Sequence, residues 1–431
     1  MAYDVAGHGA FGGSREGIVH VFWLSGMSCD GCSVAMLGAA NPSVEDLVLD
    51  RVPDLPLVVM HHPMISEESG HDLLAPYAAA AEGSLGAPYI VVLEGSIPDD
   101  QPLSAGYLAA MGTAGDFPRG ARLGGAAVQP VRVTDWMIAL APRAAACIAI
   151  GTCATWGGIP AAAGNVTGSM SLMDFLGSDY RSARGIAVVN VPGCAPQGDN
   201  FTETLAAVVR YLDGSRDLPE FDELGRPAWL FDQTVHRHCP KAGYYEEGVF
   251  AEEPGDNQCL VEIGCWGPVV QCNIVERGAI NHMGGCMVAG GACIGCTMPG
   301  FPDKYSPFYK SPPGSAISGG ISKVTGGGIR RLRRMSMRTA NSESIWDRED
   351  AGALDHPGHT GWGLAHGSKN PLEKINAHFY KKLQYRGSVD HGERNKKQPQ
   401  PRSLDILRQK GVDLDASTDV LQEHVITREE L

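Results

Sequence analysis

The chain has 431 residues, of which 43% are hydrophobic, and a formal net charge of −14 at pH 7. This acidic balance argues against nucleic acid as a partner. No run of 18 apolar residues occurs, so no membrane-spanning helix is expected. Residues 1–8 show neither a basic region before an apolar core nor a twin-arginine pair, which predicts a cytoplasmic protein. Twelve cysteines are too few for a disulfide scaffold and, in that compartment, indicate metal binding.

The first half of the chain alternates short apolar, β-rich runs with helical patterns. The predicted strands cover 18–24, 57–60, 89–93, 148–150 and 186–191. The predicted helices cover 33–39, 134–145, with Thr134 as its cap, and 202–212. Alternation of this kind predicts an α/β domain with a doubly wound, mostly parallel sheet.

Four cysteines follow the ends of predicted strands, and they are Cys29, Cys32, Cys153 and Cys194. The carboxyl ends of parallel strands share one edge of the sheet, and ligands bind beyond that edge. We therefore expect these residues, although distant in the chain, to form one four-thiolate site.

A second ligand-rich stretch begins at His236 and ends at Cys296. It holds eight candidate ligands, one histidine and seven cysteines: His236, Cys239, Cys259, Cys265, Cys272, Cys286, Cys293 and Cys296. Gly and Pro interrupt it, and no helical or strand period is visible. Such a segment is expected to fold around metal. Its uneven ligand spacing favours iron–sulfur clusters, while structural zinc remains an alternative.

Several motifs appear in one order along residues 18 to about 313. They are Ser28-Cys-Asp-Gly-Cys-Ser33, Gly151-Thr-Cys-Ala-Thr-Trp-Gly-Gly158, Val191-Pro-Gly-Cys-Ala-Pro196, Gly264-Cys-Trp-Gly-Pro268 and Cys293-Ile-Gly-Cys-Thr-Met-Pro-Gly-Phe-Pro-Asp303. This series resembles the small, electron-transferring subunit of NiFe hydrogenases. The wording of the last two motifs is most similar to the actinobacterial-type, high-affinity branch, which oxidises trace hydrogen.

The resemblance implies three 4Fe–4S clusters. The proximal cluster, nearest the NiFe centre, would be held by Cys29, Cys32, Cys153 and Cys194. The distal cluster would be held by His236, Cys239, Cys259 and Cys265. The medial cluster would be held by Cys272, Cys286, Cys293 and Cys296.

Two departures from relatives bear on the type of cluster. Relatives with a 3Fe–4S medial cluster have Pro at the position of Cys286, so a fourth thiolate is expected here. Oxygen-tolerant membrane-bound relatives carry two extra cysteines at the positions of Gly31 and Gly158. Their special 4Fe–3S proximal cluster is therefore not expected.

The resemblance also implies the domain plan and the partners. A flavodoxin-like domain is expected over residues 1–217, a loop-rich iron–sulfur domain over 228–313, and a Gly-rich linker with a polar extension over 314–431. Residues 218–227 would be a polar linker. The partner would be a large subunit that holds nickel and iron and cleaves hydrogen, in a higher oligomer of heterodimers. Electrons would pass to a quinone-linked acceptor or a small redox protein.

Two rival functions share some of these features. The cluster-bearing, quinone-pocket subunit of respiratory complex I has the flavodoxin-like cluster domain but lacks the second cysteine-rich stretch. A structural zinc-binding interaction module would use the same ligand types. The basic run at 330–334 admits a docking site for a partner or an anionic lipid surface, and hence peripheral membrane association.

Three other residues call for an interpretation. His238 competes with His236 as a ligand, although only His236 has the family's spacing to Cys239. Glu94, at a strand end, is either a satisfied polar residue or a group that faces the partner or relays protons. Cys147 is expected to be a small core residue.

Overall fold

The computed structural model describes residues 17–99, 107–117 and 129–309, except positions 163, 166, 178, 223, 269, 304 and 307. The expected extension over 314–431, with the basic run 330–334, lies outside the described residues. Within the described part, no helix has the length and apolar character needed to cross a bilayer.

A five-stranded parallel sheet organises the first half of the chain. The strands, in chain order, are β1 (Ile18–Ser25), β2 (Leu57–His61), β3 (Tyr89–Glu94), β4 (Ala110–Thr113), β5 (Pro130–Arg132), β6 (Ala146–Ile150) and β7 (Val189–Val191). The sheet has the order β2-β1-β3-β6-β7, while β4 and β5 form a separate antiparallel pair. This order is that of flavodoxin-like folds, so the predicted fold class is confirmed.

Helices cover the sheet and continue into the second stretch. They are α1 (Gly31–Leu37), α2 (Val44–Val48), α3 (Gly70–Glu82), α4 (Val133–Leu140), α5 (Gly151–Trp156), α6 (Leu172–Leu176), α7 (Gly198–Leu212), α8 (Ala228–Phe231), α9 (Ala242–Glu247) and α10 (Ile274–Arg277), with 3₁₀ turns at Val235–His238 and Leu260–Ile263. The central strands β3 and β6 are buried along their whole length, because helices pack on both faces of the sheet.

Some predicted bounds were wrong for local reasons. The helix predicted over 134–145 ends at Leu140, because Pro142 has no backbone N–H with which to continue the helical hydrogen bonds. The helix begins at Val133, so Thr134 lies inside it and is not its cap. The Asp135 side chain accepts from the backbone N–H of Arg132, the residue before the helix. The longest element that the sequence analysis missed is α3, whose interior proline obscures its helical period.

The second stretch packs directly on the sheet domain. Asn200 and Asn273 exchange side-chain hydrogen bonds of 2.8 and 2.9 Å, and Arg277 pairs with the buried Glu203. The indole of Trp156 joins the core of the second stretch and donates to the carbonyl of Thr297 at 3.1 Å.

The segment predicted to be a polar linker, 218–227, is likewise part of the packed structure. Leu224 and Arg226 are both 1% exposed. The segment contains charged residues and therefore looks polar in the sequence. Its arginine can nevertheless be buried, because neighbours along and beyond the segment satisfy its charge.

A stacked pair of histidines, of which His61 is buried and His20 partly buried, is expected to make the sheet domain sensitive to acid. The His20 Nδ1 and His61 Nε2 atoms lie 2.8 Å apart in stacked rings. Burial lowers the pKa of His61 from 6.5 to about 4, and lowers that of His20. Between these values the unfolded chain binds more protons than the folded chain, so stability present above pH 6.5 is lost as the pH falls toward 4.

We expect His61→Gln to reduce this loss of stability. The difference between the two pKa values corresponds to at most about 3 kcal/mol for one group. Denaturant titrations of the purified protein at pH 7 and pH 5, followed by tryptophan fluorescence, measure it. His71→Gln, which alters an exposed histidine, is the control. Equal acid sensitivity in wild type and His61→Gln would contradict the expectation.

Candidate metal centres

The four strand-end cysteines come together at the carboxyl edge of the sheet. Cys29 precedes α1, Cys32 lies in its first turn, Cys153 lies in α5 and Cys194 follows β7. Burial raises the pKa of Cys32. The negative charges of Glu94 and of the other three thiolates raise it further, which places all of these groups near Cys32. The structure thus brings together the four residues of the predicted proximal set.

Glycines let the backbone approach these sulfurs closely. Gly151 has φ +81°, and a Cβ there would overlap the Sγ atom of Cys32. Gly158 has φ +55°, and a Cβ there would lie 2.8 Å from the Sγ atom of Cys153. A side chain at either position would displace a sulfur or the backbone around it. An additional cysteine at position 158 would therefore need a rearranged site.

The predicted distal set lines one cavity in the second stretch. The lining of this cavity includes His236, Cys239, Cys259 and Cys265. Burial lowers the pKa of His236 to about 4, so its imidazole is neutral at pH 7, as a metal ligand must be. The ring of Tyr245 meets it edge-on, with centroids 4.9 Å apart.

His238 points to other partners. Its Nε2 lies 2.9 Å from the Gln233 Oε1 atom and 3.8 Å from a carboxylate oxygen of Glu276. His236, but not His238, lines the cavity of the distal set. The geometry therefore favours His236 as the ligand.

Backbone N–H groups are directed at the sulfur of Cys265. The N–H groups of Cys293 and Gly267 donate to its Sγ atom at 3.3 and 3.4 Å. Burial raises the pKa of Cys265 to about 11, and these donors oppose that rise. Donors of this kind stabilise a thiolate, the form that binds metal.

The predicted medial set also converges. Burial raises the pKa of Cys296 to about 12 and raises that of Cys272 and Cys293, and the charge of Cys286 contributes to each of the three. Cys286, which is exposed in this chain, therefore lies near these three residues, and its charge also contributes to the raised pKa of Cys265 in the distal set.

The medial set lies between the other two sets. The charge of the Cys194 thiolate adds to the raised pKa of Cys296, and the charge of the Cys265 thiolate adds to the raised pKa of Cys293. The Thr152 hydroxyl donates to the carbonyl of Cys296 and accepts from the N–H of Gly193 at 3.0 Å. The three groups of ligands thus form a series: sheet edge, medial set, distal set.

None of the twelve cysteines, all in the described part of the chain, forms a disulfide. The remaining one, Cys147, is a core residue as predicted, and burial raises its pKa to about 12. Within the described ranges, no three His, Cys, Asp or Glu side chains converge closely enough to hold a single metal ion.

Two buried charges lie close to these sets, and the sequence analysis missed one of them. Glu94 is fully buried at the end of β3 and accepts from the backbone N–H of Cys32 at 3.0 Å. It is therefore a satisfied residue beside the proximal set. Arg226 lies in the supposed linker and bonds Gln271, the neighbour of Cys272. No local sequence pattern identifies Arg226 as a buried residue, whereas Glu94 could be singled out because it ends a predicted strand.

Family models match both parts of the chain. The model for the C-terminal part of the NiFe/NiFeSe hydrogenase small subunit matches residues 231–309. The model described as NADH ubiquinone oxidoreductase, 20 Kd subunit, matches residues 29–208, which carry every strand of the parallel sheet except β1. The second stretch therefore separates this chain from the complex I subunit.

Individual relatives and solved structures agree. The chain is 34% identical to the periplasmic [NiFeSe] hydrogenase small subunit of Desulfomicrobium baculatum over 71% of this chain and 94% of the relative. It is 30% identical to the hydrogenase-2 small chain of Escherichia coli K12, over 77% and 85%. An actinobacterial-type NiFe-hydrogenase structure from Ralstonia eutropha H16 matches with 46% identity and a TM-score of 0.68, covering 77% of this chain and 93% of that one. The chain belongs to the small-subunit family of NiFe hydrogenases.

Proposed function

We propose that this hydrogenase small subunit holds three 4Fe–4S clusters in series and passes electrons from the large subunit to an acceptor. The observation that carries the proposal is the serial arrangement of three four-ligand sets. The N–H of Cys293 donates to the Cys265 Sγ atom at 3.3 Å, and Thr152 bonds both Gly193 and the carbonyl of Cys296. Iron–sulfur clusters supply one-electron transfer when bound.

The residues present fit such clusters. Eleven thiols and one neutral imidazole supply four ligands per set. The thiols of Cys259, Cys265 and Cys293 are buried, so each needs positive charge nearby to become a thiolate. Backbone N–H groups donate to Cys265, which supplements that charge. We assign Cys29, Cys32, Cys153 and Cys194 to the proximal cluster, Cys272, Cys286, Cys293 and Cys296 to the medial, and His236, Cys239, Cys259 and Cys265 to the distal.

The large subunit is proposed to cover the proximal and medial sets. Cys29, Cys194 and Cys286 are exposed in the single chain. An apolar surface adjoins them, formed by Val34, Leu37, Ile280 and Met283, of which Met283 is 69% exposed. Ile280 lies over Gly38, which joins the two parts of this surface. Exposed apolar surface of this kind is typical of a protein interface.

The acceptor, assembly and location stay predictions. A quinone-linked acceptor or a small redox protein, a higher oligomer of heterodimers, and a cytoplasmic location with peripheral membrane association are proposed on the sequence alone. Some of the relatives are named periplasmic.

Metal analysis of the anaerobically purified complex tests the function. We expect about twelve irons per copy of this chain in three clusters, counted separately from the iron of the large subunit, and all nickel with the large subunit. Nickel bound to this chain alone, or a colourless protein that contains zinc, would overturn the proposal.

We expect His236→Ala to impair the distal cluster alone. The imidazole supplies one of its four ligands, so EPR of the reduced complex should lose the distal signal, keep the other two, and show slower reduction of the acceptor. His238→Ala is the matched control, since that histidine bonds Gln233 and lies by Glu276. Loss of the distal signal in the control but not in His236→Ala would transfer the ligand role to His238.

We expect Cys286→Pro to convert the medial cluster to 3Fe–4S. Proline offers no thiolate but keeps the carbonyl that accepts from the N–H of Gly291 at 2.7 Å. The oxidised variant should then show a stoichiometric 3Fe–4S EPR signal. Cys147→Ala, which removes a core thiol, should show none. The same signal in anaerobically prepared wild type would refute the assignment of Cys286.

A further inference from the structure

A buried carboxylate lies beside the proximal set, and every hydrogen bond around it is directed toward it. Glu94 accepts from the indole N–H of Trp23 at 3.0 Å and from the backbone N–H groups of Cys32 and Ser33 at 3.0 and 3.2 Å. The Ser33 hydroxyl donates to its second oxygen. Glu94 and Ser33 are both fully buried.

His62 fixes the direction of the last of these bonds. The N–H of Met64 donates to the His62 Nδ1 atom at 3.1 Å, so the proton of the neutral ring is on Nε2. Nε2 lies 2.9 Å from the Ser33 hydroxyl, which therefore accepts from His62 and donates to Glu94. Four donors therefore face the two carboxyl oxygens of Glu94, the arrangement in which a carboxylate is fully hydrogen-bonded.

A buried cation lies beside the medial set. The guanidinium of Arg226 pairs with Asp222 at 2.7 Å on one side. Its other N–H groups reach Gln271 at 2.5 Å and the sulfur of Met298 at 3.8 Å. These two residues neighbour the medial ligands Cys272 and Cys296 in sequence, so the charge lies against both ligand segments.

The two charges act in opposite senses on electron affinity. A fixed negative charge disfavours the addition of an electron to a nearby group, and a fixed positive charge favours it. Burial strengthens both effects because solvent screening is weak.

We propose that Glu94 and Arg226, through their opposite fixed charges, make electron transfer from the proximal to the medial site more favourable. The inference rests on the proposed function. One electron is lost at the proximal site and one is gained at the medial site; no bond forms or breaks, and no proton moves on these side chains. Electrons come from hydrogen oxidation in the large subunit and leave to the acceptor.

Redox titration of the purified complex, followed by EPR, tests the proximal half. Glu94→Gln keeps the shape and removes the charge, so the midpoint potential of the proximal site should rise. We expect at least a tenfold change in its ratio of reduced to oxidised form at fixed potential, which is about 59 mV for a one-electron couple. Trp23→Phe removes one donor but keeps the charge, and should not raise the potential. Equal potentials in Glu94→Gln and wild type would overturn the proposal.

The ion pair beside the medial site gives an independent test by sign. Arg226→Gln should lower the midpoint potential of the medial site. Arg226→Lys keeps the positive charge and should leave that potential close to the wild-type value. Asp222→Asn removes the compensating anion and should raise the potential. Structural damage would not give opposite signs, so shifts in the same direction would overturn the proposal. Wild type without iron–sulfur signals would instead overturn the proposed function itself, which separates the two failures.

Discussion

The charge on buried sulfur is the constraint on which the rest of this structure depends. Burial raises the pKa of Cys259, Cys272 and Cys293, so each thiol alone favours its neutral form. A metal ligand must be a thiolate, and a buried thiolate needs compensating positive charge. In the described part of the second stretch every helix has only four to six residues. These short elements pack around a core that includes Trp266, Phe301 and Tyr305. Under the proposed function, the core and the bound clusters would stabilise this stretch together.

The parts of the fold that were predictable are those with a local signal. The β-rich runs at β1, β3 and β6 are apolar throughout because both faces of the sheet are covered, and such runs are visible in the sequence. Strand polarity then placed Cys29, Cys153 and Cys194 at one edge without knowledge of any side-chain position. Family motifs supplied the remaining sets, whose uneven spacing permits no such argument.

The parts that were not predictable depend on contacts between distant segments. Arg226 lies among polar residues and resembles a linker residue, and its burial follows from partners as far along the chain as Gln271 and Met298. The donors to Glu94 come from two separate segments, the end of β1 and the start of α1. A single sequence contains the residues but not their pairing. The order of the three sets in space was implied by the family resemblance and not by any local pattern.

Thr152 bonds Gly193 beside one set of ligands and the carbonyl of Cys296 in the next. Trp156, one turn later, reaches Thr297. The sheet edge and the second stretch are therefore clamped at the point where two cofactors would face each other. Electron tunnelling slows steeply as the gap between cofactors widens, so a gap that varied with thermal motion would give a variable rate. Because the short helix α5 contacts both the sheet edge and the second stretch, it holds this gap constant whichever partner binds at the surface.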